Sequence, residues 1–145
     1  MRLIVNDNLA QYTQEQLDKD MALLPTWRRE QALRYRHFQG QRDCTLSYLL
    51  LCQALEEEYG ITDKPTFLVG EHGKPSLQEH PGIHFNMSHC ANAIACAVGR
   101  MPIALICCFS CSLVYMEFLT CRSQDHLDPC ESCHAAYLSV RGNPN

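Results

Sequence analysis

The sequence lacks any surplus of positive charge. Twelve Lys and Arg stand against sixteen Asp and Glu, for a formal net charge of −4. With a pI near 5.9, such a chain has no whole-molecule attraction for nucleic acid. The opening "MRLIVNDNLA" also lacks a basic start followed by a long apolar run. No secretory signal is therefore expected, and the expected compartment is the cytoplasm, which is reducing. No internal repeat or low-complexity linker interrupts the 145 residues, a length that suits one domain or one half of a larger one. Long apolar runs are missing until Ala104. Cysteine is sparse over the same stretch: Cys44, Cys52, Cys90 and Cys96 precede position 100, and the other six of the ten lie between Cys107 and Cys133. In a reducing compartment these are free thiols or metal ligands rather than disulfides.

The positive charge that exists is concentrated. Arg28, Arg29, Arg34, Arg36 and Arg42 fall within fifteen residues. Such a cluster is either a solvated helix face or a patch for phosphates or an acidic partner.

Local patterns predict an α+β chain. "RLIVN" at 2–6 reads as a strand. Thr13 with Gln16 forms a capping-box pattern, so a helix should begin at Gln14 and end near Leu24, ahead of Pro25. Thr26 is a candidate cap for a second helix carrying Trp27, Leu33 and the arginines. Leu46, Leu49, Leu50 and Leu55 repeat at helical spacing, predicting a third helix over about Asp43 to Tyr59, stopped by Gly60. "TFLVG" reads as a strand and "EHGKP" as a turn. "IHFNMSH" and "AIACAVG" read as two strands joined by a short polar turn, with Ile83 and Phe85 facing a core.

Three groups suited to anions precede or occupy one strand end. Ser88 and His89 close "FNMSH", where a hydroxyl and an imidazole can hold a phosphate. Lys74 follows a glycine turn upstream, and Arg42 opens the third predicted helix. Taken singly, each has a plain structural role: a locally bonded turn, a solvated lysine, a helix-face arginine.

In order along the chain, these pieces resemble the 4'-phosphopantetheinyl transferase superfamily, of the larger, surfactin-synthetase-activating type. "HGKP" at 72–75, "FNMSH" at 85–89 and "AIACAV" at 93–98 carry the resemblance, together with "LPTWRREQALRYRHFQGQRDCTLSYLLL". It covers residues 1–103. The fold it implies is the N-terminal half of a pseudo-symmetric two-half α+β fold. The activity it implies is transfer of 4'-phosphopantetheine from coenzyme A to a serine of an acyl or peptidyl carrier protein. By the same resemblance Arg42, Lys74, Ser88 and His89 hold coenzyme A phosphates, and Mg²⁺ is the expected cofactor. Neither nucleic acid nor membrane is an expected partner.

The resemblance stops after "MPI". The family continues Gly-(Ile/Val)-Asp-x-Glu, whose acids bind the metal, and later carries Trp-x-x-Lys-Glu. Here Ile106 stands at the Asp position and Cys108 at the Glu position, and neither offers Mg²⁺ a hard oxygen ligand. The expectation is a truncated chain incapable of turnover, with no catalytic residue assigned and residues 104–145 forming an irregular, non-family tail. Three origins stay open for that tail. Cys108-x-x-Cys111, eighteen residues, then Cys130-x-x-Cys133 has the spacing of a four-thiolate zinc site, which would make the chain a small non-catalytic binding module. Residues 103–119 approach the length of a membrane anchor. The favoured origin is a shifted reading frame. Loss of one G turns GGC-ATT-GAT, a coding of Gly-Ile-Asp, into GCA-TTG-AT, which reads Ala-Leu-Ile as at Ala104, Leu105 and Ile106.

Overall fold

A computed structural model describes residues 1–70 and 73–107 and the strand segments 113–118 and 136–139. Strand β1 (Arg2–Asn6) occupies the predicted span. After a short 3₁₀ turn, Thr13 opens α1 (Gln14–Ala22) with the predicted capping box. The Gln16 N–H donates to the Thr13 hydroxyl at 3.3 Å, and the Thr13 N–H donates to Gln16 Oε1 at 2.8 Å, so two orphan donors are satisfied reciprocally. Helix α2 (Thr26–Leu33) follows directly. Thr26 is its first residue and not its cap, because Pro25 already sits in the extended N-cap conformation and no side chain caps the helix.

Helix α3 (Phe38–Tyr59) begins well before Asp43. Its first turn, Phe38 to Gln41, contains two glutamines and Gly40 and no leucine, so the leucine periodicity that marks the helix starts only later. Gly60 ends it at φ 68, the left-handed conformation glycine adopts without a Cβ penalty. Strands β2 (Phe67–Val69) and β3 (Pro75–Leu77) form a hairpin. β3 was not expected: "EHGKP" reads as a turn, yet its Pro75 sits at a strand's first residue, where its missing N–H costs little.

Strands β4 (His84–His89) and β5 (Ile94–Gly99) join β1 in an antiparallel sheet of order β1-β5-β4. All six residues of β5 are buried, because both sheet faces are covered. Ile94, Cys96 and Val98 meet Leu46, Leu50, Leu51, Ala54 and Leu55 of α3. Ala93, Ala95 and Ala97 face the other way and pack with Ile103. Ile83 and Phe85 join the α3 side of the core as expected. α1 and α2 cover the outer face of α3 through Leu17, Met21, Leu24 and Ala32 against Cys44 and Tyr48.

Beyond position 103 the expectation of an irregular tail needs correction. β6 (Ile103–Cys107) pairs with β7 (Leu113–Phe118), which pairs with β8 (Ala136–Ser139), all antiparallel. An apolar run without alternation fits a strand as well as a helix, so its pattern could not decide. The described parts of 103–119 are strands and not an anchor helix. Among the described residues no helix is long and apolar enough to cross a membrane.

Candidate functional site

The arginine cluster resolves into separate jobs, so it is not one solvated face. Arg29 donates to the carbonyls of Met21, Ala22 and Leu24 at 3.1, 3.2 and 3.4 Å, bracing the C-terminal end of α1. Arg34 and Arg36 are exposed. Arg28 and Arg42 are buried, at 7% and 6% exposure.

Arg28 lies among aromatic rings. Its guanidinium carbon is 6.0, 5.6 and 5.8 Å from the ring centres of Trp27, Tyr48 and Phe67, a cation–π setting. It also donates to Gln31 Oε1 at 2.9 Å and to the Cys44 carbonyl at 3.0 Å. Its Nε is sealed without an acceptor among the described residues. The rings themselves interlock: Trp27 meets Tyr48 and Phe67 edge-on, with centroids 5.7 and 5.4 Å apart.

Arg42 sits in the second turn of α3, and its Nε and Nη2 contact Asp43 Oδ1 at 2.9 and 2.8 Å. Nη2 also donates to the Ala91 carbonyl at 3.3 Å, in the turn between β4 and β5. The other carboxylate oxygen of Asp43 is 3.4 Å from His89 Nδ1. Helix and hairpin are thus joined twice at one end of the sheet. His89 stays largely open, with its side chain 58% exposed.

A cleft of about 250 Å³ opens there, lined by Arg28, Gln31, Asp43, Ser47, Met87 and His89 among others. The Ser47 hydroxyl donates to the Asp43 carbonyl at 2.6 Å, and Cys44 also lines the wall. Burial pushes the Cys44 thiol above its ordinary value, against the opposing charge of Arg28. It is therefore a neutral wall and not a thiolate.

The four residues expected to share a site do not converge on one point. Ser88 and His89 are consecutive in β4, so they project to opposite faces. His89 faces α3, whereas Ser88 pairs across the sheet with Ala95 on the alanine face. On that face Asn86 donates to the Ile103 carbonyl at 3.0 Å, tying β4 to β6. Lys74 is at the opposite end of β4. It follows the turn at Gly73 (φ 74) and lines a second cleft with His84, Phe85, Pro81 and Pro102. Asp43 and Arg28 were missed as individuals. The motif had nothing to mark Asp43, and Arg28 was hidden in the arginine run.

A 4'-phosphopantetheinyl transferase of Bacillus subtilis is 33% identical over 89 residues, 61% of this chain and 40% of that protein. The 4'-phosphopantetheinyl transferase Sfp of Bacillus subtilis (strain 168) is 27% identical over 94 residues, 64% of this chain and 42% of its own. The 4'-phosphopantetheinyl transferase ffp of Bacillus subtilis is 28% identical over a similar share. Over part of its length the chain resembles the 4'-phosphopantetheinyl transferases. The matched segment spans about 40% of the length of these curated relatives. No protein-family model matches the chain.

The Mg²⁺ expected from the sequence resemblance finds no fitting ligands at the motif positions. Where the resemblance calls for its first two acids, the chain has Ile106, in β6, and Cys108, and neither supplies a hard oxygen. Among the described residues no group of three His, Cys, Asp or Glu could hold a metal ion. Cys108, Cys111, Cys130 and Cys133, the candidate zinc ligands, lie outside the described residues.

Proposed function

We propose that this chain binds coenzyme A as one half of a pseudo-symmetric 4'-phosphopantetheinyl transferase. Its reaction class moves 4'-phosphopantetheine to a serine of an acyl or peptidyl carrier protein. The observation that carries this reading is that His89, from "FNMSH", and the buried Arg28 line the same cleft. An exposed imidazole and a desolvated guanidinium in one cleft suit a phosphate. Lys74, from "HGKP", lines a separate cleft, so it meets a different part of an elongated ligand. Coenzyme A is such a ligand, with a 3'-phosphate and a pyrophosphate.

We further propose that the chain binds but does not transfer. The acids that would offset pyrophosphate charge and accept the serine proton are replaced at positions 106 and 108. Residues 104–145 are proposed to lie outside the family pattern, and the cytoplasm is proposed as the compartment. Calorimetry with coenzyme A and 3',5'-ADP tests the binding. Weak affinity for both supports the reading, and no heat at millimolar ligand counts against it.

A further inference from the structure

We infer that Asp43 is a positioning residue that decides which nitrogen of His89 meets the ligand. This rests on the assignment of His89 to the phosphate site. The Asp43 side chain is 8% exposed and held on one side, where Oδ1 accepts from Arg42 Nε and Nη2. Arg42 is itself anchored to the hairpin through the Ala91 carbonyl. Oδ2 lies 3.4 Å from Nδ1 of His89, an ion-pair approach and not a formed hydrogen bond.

A carboxylate favours a proton on the imidazole nitrogen that it faces. The charge of Asp43 therefore favours the Nδ1–H form of the neutral ring. Nε2, on the other side of a ring that is 58% exposed, is the atom presented to the ligand. A phosphate oxygen is received by the Nε2–H of the charged ring. The same contacts change the role of Arg42. Its charge is matched by Asp43, and its Nε and Nη2 are engaged with Asp43 and the Ala91 carbonyl, so it braces the helix against the hairpin.

This has a counterintuitive consequence. Asp43 is an anion inside an anion-binding cleft, and pure Coulomb reasoning makes its removal favourable. If it positions His89, removal is unfavourable.

Two experiments on the full chain decide it. In ¹⁵N NMR of the unmodified protein, the neutral ring of His89 should show the Nδ1–H tautomer. An Nε2–H tautomer overturns the inference without any variant being needed. Asp43→Asn keeps an acceptor for Arg42 and removes the charge. It should weaken 3',5'-ADP binding about tenfold, the scale seen when a carboxylate orienting a ligating histidine is lost, and should mix the His89 tautomers. Equal or tighter binding by Asp43→Asn overturns the positioning role and marks Asp43 as a competing anion. His89→Ala separates the two levels of the argument. If it binds as well as the unmodified chain, the site assignment fails, while the tautomer still decides the Asp43–His89 coupling.

Discussion

Arg42 and Asp43 are neighbours in sequence whose side chains meet at 2.8 Å while both are more than nine-tenths buried. Successive helical residues do not face each other, so the pair closes only because both side chains bend toward the β4–β5 turn. Burying the two charges is tolerable as long as they stay paired. Arg42→Met strands the carboxylate and should cost about 3–5 kcal/mol in urea denaturation. The double change Arg42→Met with Asp43→Leu should recover most of that loss. A single variant as stable as the unmodified chain would show that Asp43 finds another partner.

The separation of the two clefts makes a prediction about additivity. His84 and His89 are the ends of a six-residue strand, about 17 Å apart at ordinary strand rise. His89→Ala and Lys74→Ala should each weaken coenzyme A binding about tenfold, the scale of one charge-assisted hydrogen bond. Together their effects should add, since sites this far apart are independent. Inorganic phosphate is too small to touch both. Strong coupling between the two changes in calorimetry would mean that the groups share one anion.

Transfer activity should be absent. Incubation with coenzyme A and a carrier protein, with or without Mg²⁺, is expected to leave the carrier's mass unchanged. Robust formation of the holo-carrier would mean that other carboxylates complete the site, and would overturn the proposal of a binding-only chain.

Thiol and phenol chemistry should report the core. Burial pushes Cys96 up to about 12 and raises Tyr12 and Tyr48, Tyr12 with help from its bond to Asp20. The folded state therefore holds these protons more tightly than the unfolded chain, whose thiols titrate near about 8.5 and phenols near about 10. Their contribution is full below about pH 8.5 and is lost as pH rises toward the folded values. The urea midpoint should fall steadily over that range. Iodoacetamide at about pH 8 should spare Cys96 until denaturant is added. Labelling of Cys96 at the rate of the half-buried Cys52 would contradict the packing.

The reading-frame proposal is checked at the gene. Restoring one base near codon 104 should open a frame encoding Gly-Ile-Asp and, later, Trp-x-x-Lys-Glu. If no such frame follows, the proposal fails and metal analysis for zinc becomes the deciding measurement.

The sequence made the backbone more legible than the site. β1, the Thr13 cap and the Gly60 stop were readable because each depends on local chemistry. Strand periodicity placed Ile83 and Phe85 in the core for the same reason. The start of α3 and strand β3 were not readable, since their residues carry turn-like signals that tertiary pairing overrides. At the site, "FNMSH" pointed to His89 and placed Ser88 beside it. The two-residue period of the strand, however, sends Ser88 to the other face. Asp43 belongs to no motif. Only the approach of α3 to the hairpin, a contact between residues far apart in sequence, shows that it meets His89.

The alanines of β5 act as shims. Ala95 and Ala97 are fully buried and pack with Ile103, and a methyl added at nearby Gly99 would sit 3.1 Å from the Ile103 side chain. At Gly99, then, the space between the sheet and β6 is filled to within a methyl group. An enlarged residue there would press on the Ile103 side chain, and a closely packed interior passes such strain on to the backbone that carries it. The Ile103 carbonyl would then leave Asn86. A change of two carbons on the hidden face of β5 would thus be read out in the link between the two sheets.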